Sequence, residues 1–257
     1  GDIQAKQALF ASMQALIENN NLSSAHINFI DIDDLTAARD NSWMIREGLQ
    51  FHWHNQNYET FDQFLEFLTS RKRKNIRKER DSIQESGIRF EHLTGDTIKP
   101  IHWDIFYQCY LATIEKKWGG AYLTRKFFES LSGNIADKIL LILAYDGDTP
   151  IAGALNFIGP DALYGRNWGG LRDVPFLHFE TCYYQAIDFA IKMGLKRVEA
   201  GAQGLHKVPR GYLPSKTYSA HKILNPQFEE AIMRFLRQEA LQNQEEALLI
   251  AKTSPYK

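Results

Sequence analysis

Cysteine is nearly absent: Cys109 and Cys182 are the two in 257 residues. Two cysteines make no disulfide framework, and both fall in apolar helical segments. They read as reduced core thiols of a cytoplasmic protein. An excess of charge of one sign is lacking as well, with 30 Lys and Arg against 31 Asp and Glu and a formal net charge of −1. No global field draws such a chain to nucleic acid or to a membrane, so any such attraction is local. No apolar run approaches the roughly 20 residues that span a bilayer. The opening "GDIQAKQALF" is neither basic nor a long apolar stretch, so no secretory signal is expected there. The chain starts on Gly1 rather than Met, as a cloning remnant or a segment cut from a longer protein would. Hydrophobic content of 44% and charged content of 24% are those of a globular chain, and 257 residues suffice for one large domain or two small ones.

Apolar periodicity supplies the elements. Residues 5–19 put Leu9, Met13, Leu16 and Ile17 on one helical face, "HINFI" (26–30) reads as a buried strand, and Asp33 caps a short helix to about 40. Residues 43–55 read as two strands around a Glu47-Gly48 turn. Thr60 and Gln63 make a capping box for a helix with Phe61, Phe64, Leu65 and Leu68 on one stripe. The run "RKRKNIRKER" (71–80) follows, and Gly87 ends its helix. Next come a strand at 88–93, a helix at 101–117 and a helix capped by Thr124 to about 132. Three antiparallel strands (138–145, 151–158, 162–170), a long helix (176–194), a strand (196–201), a loop whose tail alternates like a strand, and a helix at about 226–249 complete the chain. The aromatics Trp103, Phe106, Tyr107, Tyr110 and Trp118 read as lobe core.

Residues 88–225 therefore run β-α-α-β-β-β-α-β-loop-β, an order that resembles the GNAT-type acyl-CoA N-acyltransferase superfamily. Residues 5–57 match the second half of the same pattern. The segment "RKNIRKERDSIQESGI" looks like the inter-lobe segment of Fem-type aminoacyltransferases, which build peptidoglycan cross-bridges. More closely, "FHWHN", "SRKRKNIRKER", "HFETCYYQAIDFAI" and "EAGAQGLHKVPRGYLPSKTYSAH" are similar to a bacterial FemAB-like branch of N-acyltransferases concerned with peptidoglycan biosynthesis or recognition. The resemblance spans nearly the whole chain. It implies an α+β, mixed-sheet, GNAT-like acyltransferase fold with one complete lobe and the C-terminal half of a second, joined by a basic helix. The corresponding segments are 1–58, 59–87 and 88–257.

"GAQGLHKVPRGYLPSKTYSAH" (201–221) concentrates hydrogen-bonding and titratable groups beside few apolar anchors. In the implied fold it follows the carboxyl end of a central strand, where open sheets bind ligands. Acyl transfer to an amine needs removal of an ammonium proton, stabilisation of an oxyanion and a proton for the leaving group. Glu199 or His206 is the candidate base, Lys207 and Arg210 are candidate charge stabilisers, and Tyr212 is the candidate proton donor. The competing reading is a surface loop whose charges are merely solvated. Before the helix at 176, "RDVPFL" stands where GNAT enzymes carry a Gly-rich pyrophosphate loop. Arg172 fits that pattern, but Pro175 and Leu177 replace the glycines, and Pro175 has no N–H to offer. The bland reading is that Pro175 starts the helix. His178 and Glu180 lie on that helix's first turn, facing cleft or solvent. Trp168 is expected on the same strand face as Tyr164, bordering the acceptor groove, with Arg172, His178, Thr217, Ser219 and His221 as further substrate-binding candidates.

Residues 71–80 hold seven Lys or Arg and one Glu, a local net of +6. Arg71, Lys72, Arg73, Lys74, Arg77 and Lys78 are candidate phosphate or RNA contacts. The alternative is a solvated helix neutralised by acids such as Asp81 and Glu85. His52 and His54 point to one side of a strand, but no third ligand is apparent nearby, so they read as structural and no metal is implied. The expectation is an N-acyltransferase with no permanently bound cofactor. It would move an acyl or aminoacyl group from aminoacyl-tRNA or acyl-CoA to an amine acceptor such as a peptidoglycan precursor, with tRNA as a candidate partner. The alternative is a non-catalytic GNAT-like module that recognises cell-wall fragments or RNA.

Overall fold

The computed structural model describes residues 2–116, 119–133 and 135–257. In chain order the elements begin α1 (Ile3–Asn19), β1 (Ser24–Ile30), α2 (Asp34–Asp40), β2 (Met44–His54), α3 (Phe61–Glu66), α4 (Ser70–Glu85) and β3 (Ile88–Leu93). They continue with α5 (Pro100–Lys116), α6 (Arg125–Ser130), β4 (Ile139–Asp146), β5 (Thr149–Ile158), β6 (Ala162–Gly170) and α7 (Leu177–Phe179). A π-turn (Glu180–Tyr184), α8 (Gln185–Lys192), β7 (Arg197–Glu199), a 3₁₀ turn (Leu205–Arg210), β8 (Leu213–Ile223) and α9 (Pro226–Ala251) follow. Trp118 lies outside the described residues. Among the described residues, no helix is long and apolar enough to cross a membrane.

The chain packs as two compact units. One comprises residues 1–50 and 214–253, the other residues 51–213 and 254–257. Division of the sequence into lobes at 58 and 87 remains a proposal about the chain's organisation. In the first unit β1 pairs antiparallel with β8, whose other neighbour is β2. Phe10, Leu35, Trp43 and Ala220 build its core. On α1 the buried positions are Phe10 and Ile17, whereas Leu9 and Leu16 are exposed. No turn interrupts residues 44–54: β2 is one strand. Gly48 serves packing instead, since a Cβ there would come within 2.8 Å of Thr217 Oγ1.

The second unit carries a mixed sheet, β2-β7-β6-β5-β4-β3, antiparallel throughout except for the parallel β6–β7 pair. The near-continuous apolar run of β4 is buried on both faces. One face meets α5 and α6 through Trp103, Phe106, Tyr110 and Phe128, with Tyr107 packed alongside. Gly169 lets α5 approach β6, because a Cβ would stand 1.7 Å from the Cys109 carbonyl oxygen. Two of the three sequence-predicted caps form, with Thr60 Oγ1 accepting from Gln63 N at 3.1 Å and Thr124 Oγ1 from Phe127 N at 3.3 Å, whereas Asp33 stands at the start of α2 in a helical backbone conformation and its side chain makes no cap bond. The polar tail is docked: Thr69 N donates to Pro255 O, and the Tyr256 hydroxyl to Gly211 O.

Two local irregularities shape the site. The β5–β6 register shifts at Arg166, so Tyr164 faces Phe157 while Trp168 faces Ala154. That extra residue puts Tyr164 and Trp168 on opposite faces, contrary to the period-2 expectation. The predicted helix over 176–194 is also not uniform. Phe176 takes a left-handed conformation, so the helix starts at Leu177, not Pro175, and it widens into a π-turn at Glu180–Tyr184. The Thr181 hydroxyl donates to the Leu177 carbonyl at 2.7 Å, a side-chain bond that competes with the regular ladder.

Candidate functional site

Parallel pairing between β6 and β7 lasts three residues, Ala162–Tyr164 against Arg197–Glu199. Beyond it the strands part. Ala200 N donates to Phe51 O and Phe51 N to Gly201 O, so the chain after Glu199 follows β2 and leaves β6. A cleft of about 470 Å³ opens where they separate. The β6 bulge lines one wall with Gly165, Arg166, Asn167 and Trp168, and Asn156 lies beside them on β5. His178, Cys182 and Tyr183 close it from the helical segment, and Ala200, Gln203, Gly204, His206 and Lys207 form the lip. Among the described residues that line it, none is a carboxylate.

The polar loop thus borders a cavity, as expected, but its members divide. His206 and Lys207 line the cleft; Arg210, Tyr212 and Glu199 do not. The His206 ring is held by a 2.8 Å hydrogen bond between its Nε2 and the Tyr183 hydroxyl. Gly204 makes room for it, since a Cβ at that left-handed position would come within 2.4 Å of the ring. Burial and the neighbouring Arg210 and Lys207 cations lower the His206 pKa. The same influences, with His206 itself added after burial, hold His178 at about 4. Both imidazoles are therefore biased toward the neutral, proton-accepting form.

Lys207 is 5% exposed and pairs with no acid among the described residues. Its Nζ donates to Ala200 O at 2.5 Å and Gly201 O at 3.3 Å and lies 5.6 Å from the Phe51 ring centroid. Burial lowers its pKa to about 8. Arg210, three residues on, is bound differently. Its Nη2 and Nε donate to Glu79 at 2.6 and 3.1 Å, its Nη1 donates to the His206 carbonyl at 2.5 Å, and its guanidinium carbon stacks 3.4 Å from the Phe179 centroid. The Tyr184 hydroxyl also donates to Glu79. Arg210 is thereby a strut that fixes the His206 backbone. Tyr212 has no exposed surface, and its hydroxyl donates to Tyr183 O at 3.2 Å. Burial raises its pKa and that of Tyr183, so both phenols keep their protons.

Glu199 ends β7, where its carboxylate accepts from Arg197 Nε at 2.8 Å and stands 3.7 Å from His52 Nε2. Arg172 is exposed and pairs with Asp146. Thr217, Ser219 and His221 belong to the other unit, where His221 Nδ1 meets His26 Nδ1 and Ser219 Oγ meets His221 Nε2, each at 2.8 Å. Among the described residues, no group of three or more His, Cys, Asp or Glu is placed to hold a metal.

The basic run is helical. Of its named cations, Arg77 pairs with Asp62 at 2.9 Å, while Arg71, Lys72, Arg73, Lys74 and Lys78 have no acidic partner among the described residues. Its inner face holds Ile76, Ile83, Glu79 and Arg80. Periodicity alone missed Glu79, the partner of Arg210. It also missed Tyr183, because five residues separate it from His178 and a straight α-helix would turn it away. The π-turn brings both to one cleft.

A comparison with curated protein sequences finds no match. Among solved structures, the chain is similar to FemX at a TM-score of 0.65 and 12% identity, covering 90% of this chain and 80% of that one. It is similar to L-PGS from Bacillus licheniformis at a TM-score of 0.65 and 9% identity, covering 90% of this chain and 77% of that one. These likenesses fix the fold. A family profile described as peptidoglycan biosynthesis/recognition matches residues 2–257. Family and fold together support an acyltransferase. The chain belongs to the FemAB-like family.

Proposed function

We propose that this protein transfers an acyl or aminoacyl group from a carrier to the amine of a peptidoglycan precursor, and that the β6–β7 cleft is where transfer occurs. The observation that carries the reading is the joint placement of His206, Tyr183 and Lys207 on one cavity with no carboxylate among its described lining. An incoming ammonium gives its proton to neutral His206, the base favoured over Glu199 because Glu199 is engaged by Arg197. The freed nitrogen attacks the carbonyl carbon and an N–C bond forms. Lys207 spends two N–H groups on carbonyls and has a third to direct at the oxyanion. Collapse breaks the carrier's C–O or C–S bond, the leaving atom takes the proton from the His206 imidazolium, and the regenerated imidazole accepts the remaining extra proton of the attacking nitrogen and passes it to solvent, with the Tyr183 hydroxyl holding the ring in place. The carrier is an aminoacyl-tRNA or an acyl-CoA. The unpaired cations on α4 favour tRNA, and the proline at 175 weighs against a CoA pyrophosphate loop.

The test offers the full chain charged tRNAs and a panel of acyl-CoAs with amine acceptors. Turnover with one donor class, lost in His206→Ala, is the expected result. Alanine at Lys72, Arg73 and Lys74 should lower the salt dependence of tRNA binding by about one in log–log slope per phosphate contact removed. Tight, salt-sensitive binding without turnover from any donor would support the recognition module instead.

A further inference from the structure

Transfer requires an ammonium to enter a cleft that already holds cations. Lys207 and Arg166 line it together with His178 and His206, and no carboxylate is among its described lining. Glu199 is engaged by Arg197. An alkylammonium that carries no other charge is repelled from such a place, and nothing on the walls compensates it. This is a property of the cleft and not of the whole unit. A second cavity, about 660 Å³, is bordered by α3, α4 and the same 177–192 helical segment, and it has Asp62, Asp81 and Glu180 in its lining.

Arg166 is the cation on this cleft that most needs an anion. It is the extra residue of the β6 bulge, it is exposed, and its one side-chain partner among the described residues is the Tyr122 hydroxyl at 3.4 Å. The other arginines of the second unit beyond α4 each pair with an acid: Arg89 with Glu91, Arg125 with Asp104, Arg172 with Asp146, Arg197 with Asp161 and Arg210 with Glu79. A guanidinium without an acid at the edge of a cleft presents a planar fork that matches a carboxylate. Lys207 adds charge but no fork, and its third N–H is directed at the oxyanion. Asn156, also on the lining, offers an acceptor. It is 2% exposed, its Nδ2 donates to Leu140 O at 3.3 Å, and its Oδ1 accepts from no described residue. That oxygen lies 3.6 Å from where a Cβ on Gly165 would stand, so the glycine has no side chain to cover it.

We propose that the acceptor amine is that of an α-amino acid unit, with its carboxylate held by Arg166 and an N–H of its amine accepted by Asn156. The proposal rests on the transfer reading, whose cleft and acceptor it uses. Such a unit enters as a zwitterion, so its own carboxylate supplies the negative charge that the walls lack. A carrier phosphate would offer Arg166 the same charge, and the test separates the two sources.

Titration of the isotope-labelled full chain with glycine, glycinamide and inorganic phosphate at matched ionic strength, followed by amide NMR, tests it. Glycine should give saturable shifts at Gly165, Asn167 and Gly204, and glycinamide, which keeps the amine and lacks the carboxylate, should bind about tenfold or more weakly. Arg166→Gln should weaken glycine binding about fivefold and leave glycinamide unchanged. Arg166 is exposed, so its replacement leaves the core intact. Equal binding of glycine and glycinamide, glycine affinity unchanged in Arg166→Gln, or phosphate binding the same residues more tightly than glycine would each overturn the proposal. Binding is read without a donor, which separates this failure from that of the transfer reading. No glycine saturation beside His206-dependent turnover overturns the acceptor class alone, whereas glycine binding without turnover from any donor supports the carboxylate site and overturns transfer.

Discussion

The two cavities flanking residues 177–192 draw on one helical segment and differ in charge. His178, Cys182 and Tyr183 face the β6–β7 cleft, whose described lining has cations and histidines but no carboxylate. Glu180 and Gln185 face the α3–α4 cavity, with Asp62 and Asp81 opposite. The π-turn produces this partition, because one extra residue in the turn changes which side chains share a face. A buried lysine can stay unpaired by acid, and so remain available for chemistry, where no acid shares its wall. A buried arginine beside it can be structural because Glu79 reaches it from α4.

The contrast between Arg210 and Lys207 gives the largest expected effect. Glu79→Ala strands a guanidinium that is 7% exposed, and the loss of stability should be about 3–5 kcal/mol, read from urea midpoints. Replacing both partners, Glu79→Met with Arg210→Leu, should recover much of that loss. No recovery would mean that the pair contributes beyond mutual compensation.

Lys207→Met should behave oppositely. Turnover should fall roughly 10²- to 10³-fold with the fold intact, as expected for removal of an oxyanion donor. The folded amine releases its proton near pH 8 and the unfolded one near 10.5. Between those values the unfolded state binds more protons, so stability rises with pH across that window. Burial of the cation costs at most roughly 3 kcal/mol below pH 8. The variant should therefore match or exceed wild-type stability at pH 7 and lose that advantage above about pH 10.5. Lower stability at neutral pH would show that the bonds to Ala200 and Gly201 outweigh desolvation.

His178 gives the smallest effect. Its folded pKa of about 4 lies below the ordinary 6.5, so the unfolded state takes up the proton first as pH falls. Stability should decline from about pH 6.5 to 4 by at most roughly 3 kcal/mol, less any relaxation of the site. His178→Gln should flatten this limb of the denaturation profile, leaving the share due to His52, which is likewise held near 4 by burial first. An unchanged limb would show that His178 is hydrated in the folded protein.

Most elements were legible from local pattern. The caps at Thr60 and Thr124, the apolar β4 run and the strand-rich middle each follow from residues close in sequence. The strand through Glu47 and Gly48 was not, because its continuity depends on a cross-strand contact with Thr217. The loop's concentration of polar groups pointed to His206 and Lys207. It did not separate them from Arg210 and Tyr212, which spacing places equally close but packing buries away from the cleft. Glu79 lies 131 residues from Arg210, beyond the reach of any periodicity.

The sequence by itself determined the element order, the family resemblance and the neighbourhood of the cleft, because hydrophobic period, caps and turn residues act within a few positions. Tertiary structure decided which polar groups meet. A bulge at Arg166 and a π-turn at Glu180–Tyr184 each shift facing by one residue, and a buried charge finds its partner through space rather than along the chain.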